Sequence, residues 1–219
     1  MKDLWIFDFD GTLVDSEKAI KSCYLSVAKR IAPEKCELIN KMTIGPSLED
    51  TCEYIFKGET NTFKDQNDIK YQIKEFKKIF IDLYDKDLIY KTKLFPYVNE
   101  TLECLFKKEN KLAILTNKRF DATSKLIKFY KWEKYFEWIW CLDRYPKLKT
   151  KSEILMNKKI DFKKYLRTFM VGDTRIDGLV AKENNILFVR ALYGYGINDN
   201  WEGINISNNI NKISEIVDF

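Results

Sequence analysis

The 219-residue chain contains no histidine. That absence excludes a Ser-His-Asp or Cys-His mechanism and the common His-containing zinc sites. Any hydrolytic chemistry is left to carboxylates, lysines, hydroxyls, backbone amides and a hard cation. Long apolar runs are missing too: no stretch approaches the roughly 18 residues of a membrane span. The start, Met1-Lys2-Asp3-Leu4, has an acid where a signal peptide is basic and then continuously apolar. A soluble, cytoplasmic protein with no membrane partner is expected. The five cysteines, Cys23, Cys36, Cys52, Cys104 and Cys141, form no C-x-x-C pair and read as reduced, mostly buried thiols. Charge of one sign is nowhere concentrated. The 38 basic and 33 acidic residues leave a net +5, with Lys interspersed among Glu and Asp as on solvated helices. Without a basic patch, nucleic acid is not an expected partner. The mild positive potential suits small phosphorylated anions.

What the chain does have begins at Asp8-Phe9-Asp10-Gly11-Thr12, directly after the apolar run Leu4-Trp5-Ile6-Phe7. Asp and Gly are poor strand residues, so a buried strand ends near here. Both acids then stand at its carboxyl end, where ligands bind in open α/β sheets. One carboxylate is suited to act as a nucleophile and the other as a general acid/base. Gly11 lets the backbone turn sharply and lets its N–H approach a ligand.

Five short apolar runs read as strands: Leu4–Phe9, Leu112–Leu115, Trp138–Leu142, Thr168–Val171 and Ile186–Val189. Helical stretches separate the last four. Val98, Leu102, Leu105 and Phe106 form one helical face, Leu126 and Ile127 belong to a second helix, Ile154 and Leu155 to a third, and Ile176, Leu179 and Val180 to a fourth. Strand alternating with helix implies a parallel sheet. Residues 16–91 break that rhythm. Ile20, Tyr24, Val27 and Ile31 recur at helical spacing, as do Ile69, Ile73, Phe76, Phe80 and Leu83, with a polar loop from Gly58 to Asn67. The expected class is α/β, a Rossmann-like parallel sheet core with an inserted all-helical cap domain. The core comprises residues 1–15 and 92–219, the cap 16–91. An insertion beside the Asp pair would act as a lid.

Three further constellations follow strands or precede helices. Thr116-Asn117-Lys118 follows Ala113-Ile114-Leu115 and offers a hydroxyl and an amide to phosphate oxygens. Lys149 or Lys151, before the helix containing Ile154, offers a compact ammonium suited to phosphate. Gly172-Asp173-Thr174-Arg175-Ile176-Asp177 has two carboxylates at i and i+4, which lie on one face if the helix starts here. Such oxygen ligands suit magnesium, which often takes one or two carboxylates plus waters and substrate phosphate. In a parallel sheet all of these face one crevice.

With these residues in place, the chain resembles the haloacid dehalogenase superfamily over nearly its whole length. Asp8-Phe9-Asp10-Gly11-Thr12-Leu13-Val14-Asp15-Ser16 resembles the first motif, Thr116-Asn117-Lys118 the second, and Val171-Gly172-Asp173-Thr174 with Asp177 the fourth. Ile44-Gly45-Pro46-Ser47-Leu48-Glu49, Leu94-Phe95-Pro96 and Tyr193-Gly194-Tyr195-Gly196 are similar to the phosphoglycolate-phosphatase-like branch. The third motif departs: many relatives carry K-P-x-P-D where this chain has Lys149-Thr150-Lys151-Ser152-Glu153, so either lysine can be the functional one. Lys151, nearer the helix start, is slightly favoured.

The resemblance implies a magnesium-dependent phosphatase acting on a small phosphorylated metabolite: a phosphoglycolate-like acid, a sugar phosphate or a nucleotide monophosphate. By it, Asp8 is the nucleophile and forms an aspartyl-phosphate, and Asp10 is the acid and then the base. Magnesium would be held by Asp8, the Asp10 backbone carbonyl, Asp173 and Asp177. Thr116, Asn117, Lys151 or Lys149, and amides near Gly11 would bind the phosphoryl oxygens. The chain is expected as a monomer or weak homodimer. Asp10 argues against a dehalogenase, which has no leaving alkoxide to protonate. A sugar phosphomutase would share all four motifs, and a phosphonate-cleaving enzyme would need a cap lysine such as Lys41. A phospho-aspartyl signalling module would keep its aspartyl-phosphate without turnover.

Overall fold

The computed structural model describes residues 2–57 and 66–219. Eight strands and eight α-helices are present among them. Strands β1 (Leu4–Phe7), β4 (Lys111–Thr116), β5 (Trp138–Cys141), β6 (Thr168–Gly172), β7 (Leu187–Ala191) and β8 (Asn208–Ile210) form one sheet in the order β5-β4-β1-β6-β7-β8. Every pairing in it is parallel. The two remaining strands, β2 (Val14–Asp15) and β3 (Lys93–Leu94), form an antiparallel pair. The chain's contacts divide it into two units, residues 1–15 with 93–219, and residues 16–92.

In the first unit the sheet is threaded by α5 (Val98–Lys107), α6 (Phe120–Phe129), α7 (Lys151–Lys158) and α8 (Arg175–Glu183). The α/β class with a parallel sheet is thus the observed one. Strand β1 is buried at all four positions because it lies between β4 and β6 and is covered on both faces. Leu4, Ile6, Ala113, Leu115, Met170 and Phe188 share a core with Ile154 and Leu155 of α7 and Val180 and Ala181 of α8. On the other face, Trp5 stacks on Phe169 with ring centroids 4.1 Å apart.

Several details differ from the sequence reading. Strand β1 ends at Phe7, not Phe9, because the Phe9 carbonyl accepts the amides of Leu13 and Val14 and turns the chain away. The sixth strand, β8, was not expected. Two of its three residues are exposed asparagines, so it shows no apolar run, and it joins the edge through backbone pairing and the one buried side chain of Ile210. Phe106 is exposed and off the buried face of α5, where its ring meets Tyr135 edge-on.

The second unit contains α1 (Glu17–Ile31), α2 (Cys36–Lys41), α3 (Leu48–Lys57) and α4 (Gln66–Lys86). Its interior packs rings among aliphatic side chains. Tyr24 of α1 lies 4.4 Å from Phe80 of α4 between ring centroids, and Phe56 of α3 meets Phe76 of α4 edge-on at 5.4 Å. Ile73, Phe76 and Phe80 are buried while Ile69 and Leu83 on the same face are half-buried. The expected loop at 58–67 lies outside the described residues at 58–65, and Gln66 and Asn67 already belong to α4. No helix of the described residues is long and apolar enough to cross a membrane.

Candidate active site

Three adjacent strands deliver the site. From β1 the sheet grows first toward β4 and β5, then on its other side toward β6, β7 and β8. That reversal opens a crevice at the carboxyl ends of β4, β1 and β6. Asp8 follows β1, Thr116 ends β4 and Asp173 follows β6. Helices α7 and α8 add Lys151 and Asp177 from their first turns.

Asp8, Asp173 and Asp177 are all buried, and their carboxylates offer oxygens that lie within 4.8 Å of one another. Lys151 is 2% exposed, and its Nζ stands 2.9 Å from Asp8 Oδ1 and 2.7 Å from Asp177 Oδ1. Burial works to lower the ammonium's pKa, but the fields of Asp177 and Asp8 prevail and the net shift is upward. Burial raises Asp8 to about 7 against the pull of Lys151, with Asp177 adding to the rise. Asp173 is pushed well above the ordinary carboxylate value by burial, then by Asp177 and Asp8.

Each carboxylate is held in place. Asp173 Oδ1 accepts the Thr12 hydroxyl at 3.0 Å and Oδ2 accepts the Tyr195 amide at 2.6 Å. Gly194 permits the second bond: a Cβ there would come within 2.2 Å of the Asp173 side chain. Asp177 Oδ2 accepts the Thr174 amide at 3.0 Å and its hydroxyl at 2.8 Å, closing a capping box at the start of α8. Asp177 Oδ1 is thereby aimed at Lys151. The amide of Asp8 donates to the Val171 carbonyl at 2.9 Å, which continues the β1–β6 ladder to the acid itself.

The acid Asp10 is oriented differently. Its carboxylate accepts from Lys118 Nζ at 2.9 Å through Oδ1 and 3.1 Å through Oδ2, outside the trio of buried acids. Thr116 is buried, and its Oγ1 accepts the Lys118 amide at 3.2 Å, so it shapes the turn that carries Asn117 and Lys118. Gly11 adopts φ +86 and its amide donates to the Val14 carbonyl at 2.8 Å. That amide belongs to the turn here, not to an open anion cradle. The glycine is required for space as well, since a Cβ would lie 2.3 Å from Asp173 Oδ2.

The two lysines of the third motif are separated by the structure. Lys151 is in the cluster, whereas Lys149 is exposed, with its amide donating to Glu153 Oε2 at 2.5 Å. Thr150 is the N-cap of α7 and its side chain accepts the Glu153 amide at 3.2 Å. The T-x-x-E spacing is a helix-start signature, and it puts Lys151 at the first helical position. That signal in the sequence was overlooked. So were the roles of Lys118, Thr12 and Tyr195, although all three lie within the quoted motifs.

A hard divalent cation fits this donor set. The trio consists of oxygen ligands only, lies buried and carries one lysine charge against three carboxylates, and such a site suits magnesium.

The profile of the haloacid dehalogenase-like hydrolases matches residues 5–191. A phosphoglycolate phosphatase of Psychrobacter arcticus is 26% identical over 223 residues, spanning 100% of this chain and 95% of that protein. A pyrophosphatase, PpaX, of Halalkalibacterium halodurans is 29% identical over 199 residues, spanning 88% and 83%. Among solved structures, a haloacid dehalogenase-like hydrolase of Streptococcus pneumoniae superposes with a TM-score of 0.75 at 22% identity, covering 99% of this chain and 97% of that one. The sheet order, the buried acids and the profile spanning most of the chain agree, and the chain belongs to the haloacid dehalogenase-like hydrolase family.

Proposed function

We propose that this hydrolase is a magnesium-dependent phosphatase that releases inorganic phosphate from a small phosphorylated metabolite. The observation that carries the reading is the separation of the two acids: Asp8 sits beside Lys151 and Asp177, while Asp10 sits on Lys118. Asp8 belongs to the anion-handling cluster and is suited to attack. Asp10 stands two residues on, half-buried, and is suited to exchange protons.

In the proposed reaction the Asp8 carboxylate attacks phosphorus and the ester P–O bond breaks. Asp10 gives its proton to the departing oxygen. Asp10 then takes a proton from water, which attacks the same phosphorus. The bond between Asp8 and phosphorus breaks, and inorganic phosphate leaves with Asp8 restored. Lys151 offsets the charge of Asp8 and would bind the phosphoryl oxygens with Thr116 and Asn117. Bound by Asp8, Asp173, the Asp10 carbonyl and, directly or through water, Asp177, magnesium would offset the repulsion between a carboxylate and an anionic phosphate. Charge stabilisation and positioning matter here because phosphoryl transfer depends largely on them.

The relatives' names point to phosphoglycolate and pyrophosphate as first substrates to try. The helical unit is inserted between Asp15 and Lys93, which pair with each other in the β2–β3 ladder. We assign to it the part of a cap that governs which substrates enter.

Phosphate release from p-nitrophenyl phosphate tests the reaction class. Turnover with magnesium, loss on chelation and loss in Asp8→Asn are expected. Undiminished turnover by Asp8→Asn would overturn the assignment of the nucleophile.

A further inference from the structure

Lys118 has no part in the reaction just described, yet its side chain is only 5% exposed and its ammonium spans both oxygens of Asp10, whose side chain is 13% exposed. We propose that Lys118 is a specificity-determining residue: it receives a second oxyanion of the substrate, carried within two or three bonds of the ester oxygen. This rests on the phosphatase reading and on Asp10 as the proton donor.

The geometry divides the two buried ammoniums. Lys151 lies on Asp8 and Asp177, on the side of the phosphoryl group. Lys118 lies on Asp10. A general acid approaches the atom it protonates to roughly 2.6–3.2 Å. A cation held 2.9 Å from that acid therefore stands beside the leaving group. There the neighbouring charge decides which leaving groups are tolerated. With Asp10 protonated as the donor, Lys118 stands as an uncompensated positive charge beside a leaving group that carries its own carboxylate or phosphate. That charge attracts the oxyanion, and an ammonium can donate to a substrate oxygen while it holds Asp10. A neutral leaving group gains nothing from it. The site thus favours phosphate esters and anhydrides whose leaving group is itself an oxyanion.

The position of Lys118 supports a contact with substrate and not only the support of a neighbour. It is the second residue after β4, on a turn braced by its own amide bonding to Thr116 Oγ1. The side chain is therefore delivered from the strand beside β1, into the same crevice as Asp8.

The test compares kcat/KM, with magnesium, for phosphoglycolate, pyrophosphate and ethyl phosphate. The first two carry a carboxylate and a second phosphate, and the third has a neutral leaving group. Wild-type protein is expected to prefer at least one of the two anionic substrates over ethyl phosphate by about 10- to 100-fold, the range of a charge-assisted contact. The preferred one identifies the oxyanion as carboxylate or phosphate. Lys118→Met is expected to abolish the preference chiefly through KM, and Lys118→Arg to keep most of it. Equal losses on all three substrates in Lys118→Met would mean that Lys118 only positions Asp10, and would overturn the proposal. Wild-type protein with no preference would overturn it without any variant, so a Lys118→Met protein that fails to fold leaves the test intact. If wild-type protein cleaves none of the three, the phosphatase reading itself fails.

Discussion

The two units of this chain bury different things. The interior of the helical unit is apolar, with the rings of Tyr24, Phe56, Phe76, Phe80 and Tyr84 packed among α1, α3 and α4 beside aliphatic side chains such as Val27, Ile39 and Ile55. At the carboxyl end of the sheet, the other unit buries Asp8, Asp173, Asp177 and Lys151. Burying rings stabilises directly, by roughly 25 cal/mol per Å² of apolar surface. Burying three acids and one ammonium does not, because desolvation opposes the attraction between them. The rings are explained by packing alone. The charges point to chemistry, and the upward shifts that burial gives Asp8 and Asp173 fit that reading.

The largest break in that contrast is expected from Lys151→Met. Removing the one ammonium leaves Asp8 and Asp177 facing each other. We expect phosphatase activity to fall at least about 100-fold and the metal-free protein to lose about 3–5 kcal/mol at pH 8, read by activity and by urea unfolding. Phe76→Ala breaks the other side of the comparison. It should cost about 3–5 kcal/mol through the cavity left against Phe56 and Tyr24, seen as a lower urea midpoint.

A third test varies pH. Asp8 is raised from 3.8 to about 7 in the folded protein, so between those values the folded state holds a proton that the unfolded state has lost. Stability should therefore be fullest below about pH 4 on this account, and fall by a few kcal/mol as pH rises through 7. Added magnesium should remove that fall, because it offsets the charge when the acids ionise. A metal-free melting temperature that rises over this range would contradict the assignment of buried, under-neutralised carboxylates. The smallest effect is expected from Thr150→Ala, which removes the N-cap of α7. About 1 kcal/mol of stability should be lost, and activity should fall as Lys151 loosens at the first helical position.

Much of this was legible in the sequence where chemistry and strand lie side by side. Asp8 and Asp10 follow an apolar run at once, and Asp173 and Asp177 follow another, so their common crevice could be inferred from strand ends alone. The family profile and the observed parallel sheet agree with that reading of the fold. Features that depend on distant partners were not legible. Lys118 and Asp10 are 108 residues apart, and no local pattern announces their pairing. Tyr195 reaches Asp173 through a backbone amide, which every residue type possesses. Strand β8 was missed because Asn208 and Asn209 pair through their backbone and bury no side chain. The placement of Lys151 at the first helical position was legible after all, in the capping spacing of Thr150 and Glu153.

In the proposed reaction Asp8 carries the phosphoryl group. In Asp10→Asn protein the second step lacks its base, so an aspartyl-phosphate formed from dinitrophenyl phosphate, whose leaving group needs no acid, should accumulate. Mass spectrometry of the acid-quenched, digested protein measures it directly. A phosphoryl mass increment is expected on the peptide containing Asp8, absent when Asp8→Asn is added. Release of dinitrophenol in a single turnover with no phosphorylated peptide, or with the phosphoryl group on another residue, would contradict it.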